Sequence, residues 1–208
     1  MTTLLQLNAS LFEAGGQSSR LTQRYVDAWR DAHPEGRVIV REVGGDTVPH
    51  LTQARFQAFL AKPEVRTPEQ QAAAGFSDAL IDELRAADTI VLGLPLYNFG
   101  VPSSLKAYFD HVARVGVTFS YTEKGPVGLL TGKKAIVVAT RGGKYAGTPM
   151  DSQTGFVRDF LRFLGIEDVT FVYAEGLAMG DAARDAALEG AQDAIDRLAV
   201  AVEERLAA

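Results

Sequence analysis

Three short stretches hold residue types whose spacing could do chemistry. The first is Ser10-Leu11-Phe12-Glu13-Ala14-Gly15-Gly16-Gln17-Ser18-Ser19, which follows the apolar run Leu4–Leu7 and leads straight into helical periodicity. A helix N-terminus carries unpaired N–H groups and about half a unit of positive charge, so hydroxyls and glycine backbone gathered there form a cradle for phosphate. The loop lacks both the G-x-G-x-x-G of dinucleotide sites and the G-x-x-x-x-G-K-[ST] of triphosphate sites. It also holds no lysine, so charge would be met by amides and hydroxyls, which suits a terminal phosphomonoester better than a triphosphate awaiting transfer. Ser18 and Ser19 serve equally well as helix caps, and the residues alone leave both readings open.

The second stretch, Pro95-Leu96-Tyr97-Asn98-Phe99-Gly100-Val101-Pro102, sets aromatic and apolar side chains among turn residues. Leu96, Tyr97 and Phe99 offer a wall for a flat ring, and main-chain N–H groups near Asn98 offer donors to its polar edge. The third, Thr140-Arg141-Gly142-Gly143, closes another apolar run, and its glycines let the main chain approach a ligand closely. Each has a plain alternative, a rigid connector in the one case and a mobile turn in the other.

Other chemistries find little support. Cysteine is absent, which removes disulfides, thiolate nucleophiles and zinc–sulfur sites together. His33, His50 and His111 are scattered, with no H-E-x-x-H spacing, and no G-x-S-x-G elbow marks a serine hydrolase. No metal site and no side-chain nucleophile is therefore expected. The net charge of −5 argues against a nucleic-acid surface. With no basic leader and no long apolar run, the chain reads as cytoplasmic and without a membrane span. A composition of 23% charged and 47% hydrophobic residues supports a packed core, and no linker or repeat divides residues 1–208, so one domain is expected.

The elements that must carry these stretches alternate. Leu4–Leu7, Arg37–Glu42, Thr89–Leu94, Lys134–Thr140 and Asp168–Ala174 read as strands. Helices are predicted over Ser18–His33, about Gln53–Ala61, from the Thr67-Pro68-Glu69-Gln70 start to Ala86, after Ser103 or Ser104 as cap, from Thr148-Pro149-Met150-Asp151 to near Gly165, and from Asp181 to about Leu206. Phe119–Thr122 alternates like a hairpin strand closing around Gly125-Pro126.

Unbroken apolar strands between helices point to a doubly wound α/β fold, a five-stranded parallel sheet with helices on both faces. In the flavodoxin-like order 2-1-3-4-5, the first, third and fourth strands are neighbours, and ligands sit beyond their carboxyl ends. The three stretches then meet in one crevice. A phosphate nest, a wall for a flat ring and amide donors to its edge match the needs of flavin mononucleotide (FMN), whose hydride chemistry belongs to the cofactor while the protein positions and tunes it.

With those residues in view, the chain resembles the FMN-dependent NADH-azoreductase and NADH:quinone oxidoreductase family. The resemblance rests on Ser10 with Gln17-Ser18, on Pro95–Phe99 and its continuation Pro-Ser-Ser-Leu-Lys-Ala-Tyr-Phe-Asp, on the Gly-Val-Thr-Phe-Ser-Tyr-Thr-Glu-Lys-Gly-Pro run from Gly116, and on Thr140–Gly143. It implies a flavodoxin-like homodimer that takes hydride from NADH or NADPH onto bound FMN and passes two electrons to quinones or azo compounds in a ping-pong cycle. It also implies that Ser10, Gly16, Gln17 and Ser18 hold the phosphate, that Leu96, Tyr97, Asn98 and Phe99 pack on and bond the ring, and that Thr140, Arg141, Gly142 and Gly143 line its other side. Gly16 stands where many members carry a hydroxyl residue, and Thr140 replaces a more usual serine.

In such dimers aromatics of the second subunit help close over the flavin, and Tyr121 and Phe163 are the candidates here. Phe163 has a competing reading, since Phe156, Phe160 and Phe163 form a core stripe at helical spacing. A second functional class is a non-enzymatic flavodoxin-like electron carrier or interaction protein. A carrier calls for a dense acidic rim, whereas these loops are largely uncharged and one holds Arg141.

Overall fold

The structure is a computed structural model that describes residues 2–207. In chain order its strands are β1 (Thr3–Asn8), β2 (Arg37–Glu42), β3 (Thr89–Pro95), β4 (Phe119–Thr122), β5 (Gly125–Gly128), β6 (Lys134–Arg141) and β7 (Asp168–Glu175). The helices are α1 (Gln17–Ala32), α2 (Gln53–Leu60), α3 (Pro68–Ala86), α4 (Ser103–Val112), α5 (Thr154–Phe163) and α6 (Asp181–Ala207). Five strands pair in parallel in the order β2-β1-β3-β6-β7, which is the expected 2-1-3-4-5 with the β4–β5 hairpin inserted before the fourth.

Strand alternation divides the apolar residues between two cores. Leu5, Leu7, Ile90, Leu92, Ala135 and Val137 face α3, α4 and α5, meeting Leu80, Leu84, Leu105, Phe109, Val157 and Leu161. Leu4, Val91, Ile136 and Val138 face α1 and α6, where Leu21, Tyr25, Trp29 and Ile195 cover them. Both faces are thus buried, which is why the central strands read as continuous apolar runs. The one polar interruption of β1, Gln6, lies on the α1 face and donates to Thr22 Oγ1 at 3.2 Å. Thr22 in turn donates to Asn8 Oδ1 at 3.0 Å, and Asn8 Nδ2 to Glu42 Oε1 at 2.7 Å. This chain of bonds fixes the end of β1 against α1 and β2.

α3 starts as its sequence dictates, with a full capping box between Thr67 and Gln70 and Pro68 inside it. Three local expectations are corrected. α5 begins at Thr154, not at Thr148-Pro149, because Asp151 supplies the acceptor for the Thr154 N–H while Thr148 Oγ1 bonds to the Tyr145 carbonyl and the Met150 N–H. α4 has Pro102 at its N-cap and no side-chain cap, so neither Ser103 nor Ser104 caps it. Gly125 and Pro126 lie inside β5, opposite Thr122 and Tyr121, and the hairpin turns at Glu123-Lys124.

Gly128 and Gly165 pin that hairpin to the body. A Cβ on Gly128 would stand 2.0 Å from Gly165 N, a contact only paired glycines permit. Among the described residues no helix is long and apolar enough to cross a membrane.

Candidate functional site

The first loop delivers the chain to α1 without a side-chain cap. Gly16 is the N-cap residue in extended conformation, and Ser18 and Ser19 fall within the first turn. Both are buried, and neither Oγ has a hydrogen-bond partner. The cap reading is therefore excluded. The helix start offers unpaired N–H groups and two orphaned hydroxyls, a combination that a buried site leaves open at a cost unless something else completes it. Gly16 has its own steric reason, since a Cβ there would lie 2.1 Å from Ser10 Oγ. Ser10 occupies the space that a side chain at 16 would claim, and its Oγ accepts from Phe12 N–H at 3.1 Å.

The second loop is a two-residue hairpin. Tyr97 N–H donates to the Gly100 carbonyl at 3.3 Å and Gly100 N–H to the Tyr97 carbonyl at 3.0 Å. Between them Asn98 and Phe99 take positive φ, 50° and 60°, the left-handed pair a type I′ turn demands. Asn accepts that geometry readily, while for phenylalanine it costs on the order of 1 kcal/mol or more. The Tyr97 hydroxyl reaches back to the first loop, 3.5 Å from Ser10 Oγ, and accepts from Leu11 N–H at 3.2 Å.

The third loop touches the second through Phe99 and Tyr145, whose rings meet edge to face at 5.5 Å. Arg141 lines the cleft as expected, but its charge is engaged elsewhere. Its side chain is fully buried, with Nη2 2.8 Å from Asp151 Oδ1 and Nη1 3.1 Å from Glu175 Oε1. It also donates to Thr154 Oγ1 and lies over the Tyr173 ring. The guanidinium is thus spent on the fold, because two carboxylates reach it from neighbouring elements, and it adds no free charge at the cleft. Burial opposes ionisation of Asp151, but hydrogen bonds from Arg141 and Thr154 outweigh it and hold the carboxyl below its ordinary range.

Between the loops lies a cleft of ≈ 160 Å³ lined by Ser10, Gly16, Gln17, Ser18, Leu96, Tyr97, Thr140, Arg141 and Gly142. Residues far apart along the chain thus meet at one sheet edge. Asn98 and Phe99 are exposed beside this lining, and Gly143 lies under the Tyr145 ring. Phe12 and Leu177 also line the cleft and were not singled out from sequence. Leu177 follows the edge strand β7, and its N–H bonds to the Arg141 carbonyl at 3.1 Å. Adjacency of the fourth and fifth strands was the available signal for it.

Beyond the second loop a wider groove of ≈ 500 Å³ runs past Phe99, Val101, His50, Lys106 and Phe156. Of the two aromatic lid candidates, Tyr121 is 71% exposed on the hairpin. Phe163 instead packs with its own chain, 4.3 Å from the Phe119 ring and against the α3–α5 core. The residue of that helix that reaches the groove is Phe156, about two turns earlier in the stripe.

Sheet order, crossover helices and a phosphate-type nest at the first βα turn define a flavodoxin-like α/β protein. The chain belongs to that family: the family model described as Flavodoxin-like fold matches residues 2–199. It is 52% identical over 197 residues to the FMN-dependent NADH:quinone oxidoreductase of Cellvibrio japonicus, covering 95% of this chain and 98% of that one. A relative of the same name from Paraburkholderia phymatum is 53% identical over 195 residues, 94% and 98% of the two chains. Among solved structures, the azoreductase of Bacillus anthracis str. Sterne superposes with a TM-score of 0.87 at 25% identity, covering 96% of this chain and 99% of that one. The FMN-dependent NADH-azoreductase of Bacillus anthracis str. Ames Ancestor, solved in complex with FMN, gives 0.83 at 27% identity over 96% and 100%.

Proposed function

We propose that this chain is an FMN-dependent oxidoreductase that takes hydride from NADH and reduces quinones, and also azo compounds, in a ping-pong cycle. It acts as a cytoplasmic homodimer, with residues 1–208 as one flavin-binding unit. The observation that carries the reading is the buried, unpartnered Ser18 hydroxyl in the lining of the cleft where the three loops meet, at an uncapped helix start whose next residue, Ser19, is likewise buried and unpartnered. The relatives' names fix which phosphorylated ring belongs there.

The residues present fit the cofactor. Ser10, Gln17, Ser18 and the first N–H groups of α1 hold a phosphomonoester, and the tight packing of Gly16 on Ser10 keeps the nest open. Leu96, Tyr97 and the Asn98-Phe99 turn bear on the ring and its polar edge, while Thr140 and Gly142 flank the opposite side. When bound, FMN would supply the two-electron hydride chemistry. What the chain contributes is grip, orientation and a wall against water. On this reading Tyr121, exposed on the hairpin, covers the site of the other subunit.

The test is direct. Purified protein is titrated with FMN and assayed for NADH oxidation with a benzoquinone acceptor. Stoichiometric uptake with quinone-dependent turnover is expected. Failure to take up FMN overturns the reading, and tight FMN without NADH-driven turnover gives the carrier reading instead.

A further inference from the structure

The strained turn that this function places against the flavin is held from outside the cleft. Gln153 is fully buried in the segment between the third loop and α5. Its Nε2 donates to the Pro95 carbonyl at 2.9 Å and to the Gly100 carbonyl at 3.0 Å, gripping both ends of the second loop. Its neighbour Ser152 donates through Oγ to the Phe99 carbonyl, inside the left-handed pair itself. The two Tyr97–Gly100 bonds close the turn from within, and the Leu96 N–H and the Tyr97 hydroxyl tie its near end to β6 and the first loop, while these donors hold the carbonyls of Pro95, Phe99 and Gly100. The clamp is in turn anchored, because Asp151, next in the chain, is ion-paired with buried Arg141 at the end of β6.

We propose that Gln153, assisted by Ser152, is a positioning residue for the flavin ring. It touches neither cofactor nor substrate but keeps Asn98 and Phe99 at positive φ, so that the turn meets the ring preformed rather than ordering on binding. The chemistry explains the residue type. Two converging carbonyls need a side chain with two N–H donors on one atom, which a carboxamide provides and a carboxylate or an alkyl chain does not. The remaining carboxamide oxygen, Oε1, is buried without a partner, a loss the two donated bonds must outweigh.

This inference rests on the FMN reading, so wild-type protein is the first arm of its test: no FMN uptake there condemns the function itself. With wild type loaded, Gln153→Glu, Gln153→Met and Ser152→Ala are compared by FMN dissociation constant and by the visible circular dichroism of the bound flavin. Gln153→Glu replaces the donors by an acid whose buried carboxyl, facing two carbonyls, is pushed toward its neutral form. Protonated, it donates one bond; ionised, it repels both carbonyls. FMN binding weakened about tenfold at pH 8 and partly restored near pH 5.5 is expected for this variant alone. Gln153→Met weakens binding by a similar factor without pH dependence. Ser152 is exposed, so its variant folds, and a loss of several-fold with altered dichroism is expected. Wild-type affinity and dichroism in all three variants, at both pH values, overturn the proposal.

Discussion

The buried guanidinium of Arg141 lies 2.8 Å from the Asp151 carboxylate, and this one pair ties the end of β6 to the entrance of α5. On its other side Arg141 meets Glu175, whose Oε1 also accepts the Tyr145 and Ala146 N–H groups at 2.8 and 2.9 Å. The third loop and the clamp on the second therefore share one ionic centre.

Removing that centre should be costly. Arg141→Met leaves two partly buried carboxylates without their counter-charge, and a loss of roughly 3 kcal/mol is expected. Denaturant unfolding of the apo protein checks it, and Arg141→Lys should rescue little, since an ammonium lacks the planar fork that spans Asp151, Thr154 and Glu175. A variant within 1 kcal/mol of wild type would show the network to be incidental.

Asp151 gives the same centre a pH signature. Its carboxyl titrates lower when folded than when unfolded, so its contribution is present above the unfolded value, near 4, and disappears as the pH falls through the folded one. Stability of wild type should decline below about pH 4 more steeply than that of Asp151→Asn. Parallel acid limbs would contradict this.

His111 sets a second limb nearer neutrality. It is buried in α4 with a ring nitrogen 2.9 Å from the Pro49 carbonyl, edge-on to Phe59 and Phe76, with Arg55 and Asp110 as the charges acting on it. Burial holds its pKa below the ordinary value, the Pro49 bond notwithstanding. The native ring is neutral while the unfolded one gains a proton below about 6.5, so stability is full above that pH and falls beneath it. His111→Gln keeps a donor for Pro49 and should flatten the dependence between pH 7 and 5. An unchanged slope would remove His111 as its source.

Ser18→Ala separates fold from ligand. The hydroxyl has no partner within the chain, so the apo protein should unfold within about 0.5 kcal/mol of wild type. FMN affinity should drop about tenfold or more, the worth of one bond to a charged phosphate. Calorimetry on apo protein and an FMN titration give the two halves; a stability loss without an affinity loss reverses the assignment.

Gly16→Ala should fail through Ser10. The new methyl would overlap the Ser10 side chain, and a destabilisation of about 1–3 kcal/mol is expected. Ser10→Gly in the same background should recover most of the stability but not FMN binding. If Gly16→Ala is neutral for both, the nest is looser than its geometry implies.

Much of this was readable from residue order. Apolar runs two-faced enough for a covered parallel sheet marked its strands, the flavodoxin-like order supplied their arrangement, and Thr67-Pro68-Glu69-Gln70 announced the start of α3 to the residue. The convergence of Ser10, Tyr97 and Thr140 followed from that order alone. What escaped depends on side chains choosing among partners. Thr148-Pro149 looks like a helix start, but nothing local says that Asp151 will accept the Thr154 N–H from its ion pair with Arg141. Arg141 reads as a charge of the cofactor loops until Glu175, thirty-four residues on, is seen beside it. Ser18 and Ser19 have the composition of caps, and only their burial without partners distinguishes a nest from a cap.

The spent charge of Arg141 has one more consequence. Among the described residues it is the only charged side chain in the cleft lining, and two carboxylates neutralise it from within. An anionic ligand would be recognised there at hydrogen-bonding range rather than drawn in by a long-range field. Added salt, which screens exposed charges over about 10 Å at 0.1 M, should leave such binding nearly untouched.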